Sequence, residues 1–109
     1  MTMYNYTAKV IRVVDGDTID VEIDLGFDIW HKVRLRLAHI DAYEQNTVKG
    51  RQATAYLKAC LEQDPLVEIT THKTDKYGRY LAEVFVKGNS VNQNLLKIGY
   101  AIPYEGGKR

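Results

Sequence analysis

Three carboxylates lie at positions where a predicted barrel could bring them together. Asp17 follows the turn dipeptide Asp15-Gly16, Asp41 ends a later run of alternating residues, and Glu44 comes three positions after Asp41. A hard divalent cation such as Ca²⁺ or Mg²⁺ takes oxygen ligands from several places in a chain. The carboxylates therefore predict a metal site, although Asp is also common at turns and strand ends for purely local reasons.

Two arginines offer the other half of a phosphate-binding site. Arg36 lies on the polar face of a predicted strand, five residues before Asp41, and Arg79 directly follows the polar turn at 74–78. The planar guanidinium presents its donors as a fork that matches phosphate oxygens. In phosphoryl chemistry such a clamp neutralises the charge that develops on the equatorial oxygens and the leaving group. Taken singly, an arginine in a strand is more often a solvated or ion-paired surface residue.

Alternation of apolar and polar residues predicts three antiparallel strands in the first part of the chain. The strands cover residues 8–14, 18–25 and 32–40, with a turn at Asp15-Gly16 and an exposed loop around 26–30. In an antiparallel meander the end of the third strand lies beside the start of the second. This topology alone places Asp17 and Asp41 at the same rim of the sheet.

The rest of the pattern predicts two helices and two more strands. Apolar residues at three- and four-residue spacing favour a helix over 48–62, and a capping box at Ser90 begins a second helix over 91–98 that ends at Gly99. Residues 66–71 and 80–87 are predicted as strands four and five. This order is typical of an α+β fold, a five-stranded Greek-key β-barrel of the OB type with one helix between strands three and four and a second after strand five.

Length and composition predict one globular domain. The 109 residues suffice for a single hydrophobic core, predicted over about 8–101 with a frayed tail at 105–109. The net charge of +1 does not by itself indicate a nucleic-acid partner. The chain has one cysteine, no apolar run of the roughly 20 residues that a membrane helix needs, and no visible signal peptide. We therefore expect a cytoplasmic protein without membrane association, and a secreted mature form stays open as the alternative.

Three motifs in register resemble the successive signatures of the staphylococcal nuclease (thermonuclease) family. They are Asp15-Gly16-Asp17-Thr18, then Arg36 with Asp41 and Glu44, then Thr74-Asp75-Lys76-Tyr77-Gly78-Arg79. The resemblance covers about residues 8–101, and the first predicted helix falls in the expected interval. It implies an SNase-like domain and a nuclease that hydrolyses DNA and RNA phosphodiester bonds with little sequence preference.

The resemblance also implies a metal site and a general base. Asp17 and Asp41, helped by the backbone carbonyl of Ala42, would bind Ca²⁺, with Mg²⁺ or Mn²⁺ as alternatives. Glu44 would orient or deprotonate the attacking water. Asp15 and Thr18 would contact the metal ligands and not the metal itself.

The implied substrate is nucleic acid held by phosphate contacts, single-stranded or unstacked. Arg36 and Arg79 would grip the scissile phosphate, with one of them near the leaving oxygen. Lys76 and Tyr77 would contact a terminal phosphate or lie along the substrate groove, and Tyr104 is the best match for an aromatic residue that stacks on a base.

Three departures from the family pattern are visible in the sequence, one of which is a shorter loop after Glu44. The usual Asp-(Thr/Ala)-Pro-Glu is here Asp41-Ala42-Tyr43-Glu44, so Tyr43 replaces a proline. The family's C-terminal helix has no counterpart before Arg109, which predicts exposed apolar surface and homo-oligomerisation.

A second hypothesis comes from another class of protein. The chain could be a non-catalytic OB-fold module that binds single-stranded nucleic acid or a protein partner. The full set of residues favours the enzyme, because a domain kept only for binding does not need these five together: Asp17, Arg36, Asp41, Glu44 and Arg79.

Overall fold

The structure, a computed structural model, describes residues 4–64, 66–72 and 80–104. Within these ranges five long strands form a barrel, accompanied by two helices and three short strands. In chain order the elements are β1 (Asn5–Asp15), β2 (Thr18–Asp24), β3 (Trp30–Leu37), β4 (Ile40–Ala42), α1 (Val48–Leu61), β5 (Leu66–His72), β6 (Tyr80–Val86), β7 (Asn89–Ser90), α2 (Val91–Ile98) and β8 (Ala101–Pro103).

The barrel closes because β3 pairs with a strand on each side. The long strands are hydrogen-bonded in the order β3-β2-β1-β5-β6, and a parallel pairing of β3 with β6 joins the two ends. Along β2, Ile19, Val21 and Ile23 are buried while the residues between them are half-buried, as the two-residue alternation predicts. The five-stranded OB-type barrel, with one helix before its fourth long strand and another after its fifth, is confirmed.

The third strand ends earlier than predicted. The alternation predicts a strand over 32–40, but β3 stops at Leu37 and His39, with φ of 67°, turns the chain. Ile40 then begins β4, which pairs antiparallel with β8. The alternation does not reveal this break because Ala38 and Ile40, on either side of the turn, are both buried. Asp41 therefore lies in the middle of β4 and not at the end of β3.

Both predicted helices are present, and their caps explain where they begin. The Thr47 hydroxyl accepts a hydrogen bond of 3.0 Å from the Gly50 N–H before α1. The Ser90 hydroxyl accepts one of 3.2 Å from the Gln93 N–H before α2. Gly99 ends α2 in the left-handed conformation, with φ of 94°, that glycine adopts without strain.

The hydrophobic core fills the barrel and continues under both helices. Leu57 of α1, Ile69 of β5 and Leu95 of α2 are fully buried, and Cys60 also faces this core. The loop between β2 and β3 is exposed as predicted, with Phe27 98% accessible to solvent. In the part of the chain that the structure describes, neither helix has the length and apolar character needed to cross a bilayer.

Asn92 fastens α2 to the corner between β3 and β4. Its side chain is buried, and its Oδ1 accepts a 3.0 Å hydrogen bond from the Val84 N–H. Its Nδ2 donates to the carbonyls of Ala38 at 3.0 Å and Ala82 at 3.2 Å. One amide thus connects α2, β6 and the turn that leads into β4.

We expect Asn92→Ala to destabilise the protein strongly. The Val84 N–H and the Ala38 carbonyl would lose their side-chain partners inside the core, which predicts a fall of roughly 2–4 kcal/mol in the free energy of unfolding. Urea denaturation measures this fall. Asn94→Ala, the same change two residues along the helix at a half-buried position, is the matched control, and equal losses for the two variants would contradict the role of Asn92.

Candidate active site

The start of β2 and strand β4 meet at one rim of the barrel. Thr18 is paired with Arg36, and the Leu37 N–H donates to the Asp17 carbonyl at 2.8 Å. The Ala42 N–H donates to Asp17 Oδ2 at 3.0 Å. Because of these bonds, the turn after β1 and the chain after β3 are held side by side, which is the convergence expected from the meander.

Arg36 joins the two aspartates. Its Nη2 lies 3.2 Å from Asp41 Oδ1 and 3.4 Å from Asp17 Oδ2, and its Nη1 donates to the Ile40 carbonyl at 3.1 Å. Arg36, Asp17 and Asp41 are each less than 10% exposed. The Tyr104 ring lies beside the guanidinium, with 5.1 Å between the guanidinium carbon and the ring centroid. Partners on several sides thus fix the orientation of Arg36.

Asp15 and Thr18 hold the Asp17 loop from behind. The Asp17 N–H donates to Asp15 Oδ1 at 3.1 Å, and the Thr18 hydroxyl donates to Asp17 Oδ1 at 3.0 Å. Burial raises the pKa of the Asp17 carboxyl to about 6, and the neighbouring Asp15 carboxyl adds to the rise. The Ala42 N–H and the Arg36 guanidinium offset part of this increase. A cation at this carboxylate would offset it further.

Glu44 lies in an exposed loop that the start of α1 keeps close to β4. Its backbone carbonyl accepts from the Thr47 N–H at 3.0 Å and from the Thr47 hydroxyl at 2.6 Å. A Cβ at Gly50 would overlap that same carbonyl. Glycine is therefore required at position 50 for this close approach of helix and loop.

These residues surround an open polar pocket of about 390 Å³. Its lining includes Tyr43 and Gln45, which the sequence did not indicate as site residues. Their adjacency to Glu44 in a loop without buried apolar residues is the signal that could have found them. The full lining consists of Asp15, Asp17, Thr18, Arg36, Asp41, Ala42, Tyr43, Glu44, Gln45 and Tyr104.

Not every predicted site residue is placed at this pocket. Lys76, Tyr77 and Arg79 lie outside the described residues. Across the described ranges, no three or more side chains of His, Cys, Asp and Glu are grouped closely enough to hold a metal ion. Arg36 bridges Asp17 and Asp41 in this structure, and a metal shared by these two aspartates and Glu44 stays a prediction. The oxygen donors of Asp17 and Asp41 nonetheless suit a hard divalent cation.

The fold and the pocket define an OB-type barrel domain that gathers one buried guanidinium and several carboxylates at an open rim. The sequence model of the family described as "Staphylococcal nuclease homologue" matches residues 34–109, more than half of the chain. The chain therefore belongs to the staphylococcal nuclease family, as the three sequence motifs predict.

Several relatives carry nuclease names. The chain is 40% identical over 98 residues to a protein of Escherichia coli O157:H7 named "Uncharacterized endonuclease", a match that covers 89% of this chain and 60% of the relative. It is 36% identical over 104 residues to the thermonuclease of Staphylococcus hyicus, covering 87% and 57%. It is 37% identical over 81 residues to the micrococcal nuclease of Shigella flexneri, covering 74% and 43%. The chain thus spans less than two thirds of the length of each of these relatives. The homo-oligomerisation expected from the sequence stays a prediction.

Gly50→Ala is expected to destabilise the protein, against the usual sign for this substitution. Replacing glycine by alanine within a helix normally stabilises it by roughly 0.5–1 kcal/mol. Here the added Cβ would overlap the Glu44 carbonyl, so either the loop or the start of α1 must move. Thermal unfolding should show a lower midpoint for Gly50→Ala and a nearly unchanged one for Gln52→Ala, at an exposed position of the same helix. A raised midpoint for Gly50→Ala would contradict the close approach.

Asp17→Asn is expected to stabilise the metal-free protein near neutral pH. Folding raises the pKa of this carboxyl, so the folded protein holds the proton more tightly than the unfolded chain does. The free energy of unfolding therefore falls as the pH rises from 3.8, the ordinary pKa, to about 6. The neutral amide avoids this loss. We expect a gain of about 1–3 kcal/mol at about pH 7 and little gain at about pH 4, measured by urea denaturation in the presence of a chelator.

Asp20→Asn provides a control of opposite sign. A hydrogen bond from Arg34 lowers the pKa of the Asp20 carboxyl, so its contribution to stability is present near neutral pH and is lost as the pH falls. We expect Asp20→Asn to reduce stability near neutral pH, whereas Asp17→Asn increases it. A loss of stability for Asp17→Asn at both pH values would contradict the assigned direction.

Proposed function

We propose that this protein is a metal-dependent nuclease that hydrolyses phosphodiester bonds of DNA and RNA with little sequence specificity. The membership of the staphylococcal nuclease family and the nuclease names of its relatives support this proposal. The observation that carries it is the buried Arg36, which faces an open polar pocket between two carboxylates. Low sequence preference is expected of a site that contacts phosphates and not base edges. The proposed substrate is a single-stranded or unstacked strand.

The metal site in this proposal consists of Asp17, Asp41 and the backbone carbonyl of Ala42. Ca²⁺ is the proposed ion, with Mg²⁺ or Mn²⁺ as alternatives; these hard cations prefer oxygen ligands. A bound cation would polarise a phosphoryl oxygen and neutralise part of the developing charge. The raised pKa of Asp17 supports this placement, since a buried carboxylate with incomplete compensation gains from a nearby cation.

Arg36 is proposed to bind the scissile phosphate. A guanidinium has five N–H donors, and the contacts with Ile40, Asp17 and Asp41 leave some of them for phosphate oxygens. Low exposure strengthens such a contact, because water screens it less. Tyr104, beside the guanidinium, is proposed to restrict its orientation as well as to contact substrate.

Glu44 is proposed to take a proton from the attacking water or to orient it. Its side chain is exposed at the pocket, where water can reach it. Arg79 is proposed as the second phosphate-binding arginine, and Lys76 and Tyr77 as contacts for a terminal phosphate or the strand beyond it. These three assignments rest on the sequence motif at 74–79.

Digestion of labelled oligonucleotides tests the proposal. Purified protein is incubated with single-stranded DNA, duplex DNA and RNA, in parallel with Ca²⁺, Mg²⁺, Mn²⁺ and excess chelator. We expect cleavage that depends on a divalent cation and is faster on single strands. Binding without cleavage under every metal would favour the non-catalytic OB module instead.

Glu44→Gln tests the assignment of the general base. General-base assistance is typically worth about 10²–10⁴-fold, so we expect a rate loss of that size with the fold intact by circular dichroism. The matched control is Glu62→Gln, the same change at the end of α1 and outside the pocket lining. Full activity of Glu44→Gln would remove Glu44 from the mechanism without affecting the assignment of Arg36.

A further inference from the structure

Tyr43 is an exposed aromatic residue in the wall of the polar pocket. It lies between Ala42, the last residue of β4, and Glu44, and it is 38% exposed. An exposed tyrosine contributes little to a hydrophobic core, so core packing does not explain this residue. Its ring is in contact with a cation, because the Lys49 ammonium lies 4.8 Å from the ring centroid.

Lys49 brings an exposed positive charge to the same place. It lies in the first turn of α1, where no acidic residue is present. Its ammonium lies over the ring of Tyr43, which lines the pocket, so an aromatic ring and an exposed positive charge are adjacent. Aromatic rings that stack on bases, combined with cations that contact the backbone, are what proteins use to bind single strands without sequence preference.

We propose that Tyr43 and Lys49 form a nucleotide-binding subsite beside the phosphate-binding site, in which Lys49 leaves the Tyr43 ring to contact a phosphate and the adjoining base stacks on that ring. This inference rests on the proposed nuclease function and specifies its substrate as a strand with an unstacked base next to the reacting phosphate. The subsite would hold the strand in register, and it would not read sequence, since every base has a face that can stack.

The separation between Asp41 and Tyr43 along the chain is similar to the spacing of neighbouring nucleotides in a strand. Asp41, which contacts Arg36, and Tyr43 are two residues apart, roughly 6.6 Å along an extended chain. Arg36 and Tyr43 line the same pocket, so a strand whose phosphate reached Arg36 would bring a neighbouring nucleotide toward Tyr43. Tyr104, the other aromatic residue in the pocket lining, is half-buried and has its ring beside Arg36, so Tyr43 is the more accessible platform.

Binding to two strands that differ only in their bases tests the subsite. The probes are a dye-labelled oligothymidylate and an abasic oligomer of equal length and charge, measured by fluorescence anisotropy with Ca²⁺. All variants of the full chain carry Glu44→Gln so that cleavage does not interfere. We expect Tyr43→Ala to weaken oligothymidylate binding by roughly 5- to 30-fold, to leave abasic binding unchanged, and Tyr43→Phe to retain both.

The lysine is tested in the same assay with a matched control. Lys49→Gln should weaken both oligomers by a similar factor, because it removes a phosphate contact and not a stacking surface. Lys58→Gln, the same loss of charge at an exposed position further along α1 that lines a different cavity, should change neither.

The outcomes separate the subsite from the nuclease activity. Equal weakening of both oligomers by Tyr43→Ala would make the residue structural and overturn the proposal, as would no effect on either. A base-dependent loss in a protein that cleaves nothing would support the subsite and refute the nuclease. Cleavage by the unsubstituted protein, with no base-dependent loss of binding in Tyr43→Ala, would support the nuclease and refute the subsite.

Discussion

The ion-pair network of Arg36 is the interaction on which the candidate site depends. A charged group that is withdrawn from water must be paired and hydrogen-bonded, or burial becomes prohibitively unfavourable. Arg36 meets this requirement with Asp17 from the start of β2, Asp41 from β4 and the carbonyl of Ile40. The same contacts fix the three residues relative to one another. They therefore both compensate the buried charge of Arg36 and set the geometry of the pocket.

Several features away from the pocket maintain this arrangement. Asn92 holds the turn between β3 and β4 through the Ala38 carbonyl, and the pairing of β4 with β8 carries the chain to Tyr104 beside Arg36. Gly16 lets the turn before Asp17 lie against Ala42, because a Cβ there would come within 2.9 Å of the Ala42 side chain. The site is therefore supported by contacts from α2, β8 and the turn before Asp17, and not by its own ion pairs alone.

The sequence predicted the parts of the fold that follow from local pattern. Alternation placed Ile19, Val21 and Ile23 inside the barrel, and the residues Ser90 and Gly99 marked the ends of α2 correctly. It also brought Asp17 and Asp41 to one rim, although Asp41 lies in β4 beyond the turn at His39 and not at the end of the third strand. It missed the turn at His39 because buried residues flank it on both sides, and it missed β8 because a three-residue strand has too few residues to show a period.

The candidate site was predicted less completely, for a physical reason. Sequence motifs identify residue types, but whether a carboxylate faces a cation, a guanidinium or water depends on contacts between distant segments. Arg36 between the two aspartates and Tyr43 in the pocket wall are contacts of this kind. Neither follows from spacing along the chain.

The charge of the pocket gives the proposed metal a second role. Among its described lining residues, four carboxylates (Asp15, Asp17, Asp41 and Glu44) face a single guanidinium, that of Arg36. With all four ionised, this excess of negative charge would repel a polyanion, and a divalent cation bound at the aspartates would remove most of the excess. Cation and phosphate would then each favour the binding of the other, a coupling that must be reciprocal. In such a pocket the proposed metal would favour substrate binding before it contributed to any chemical step.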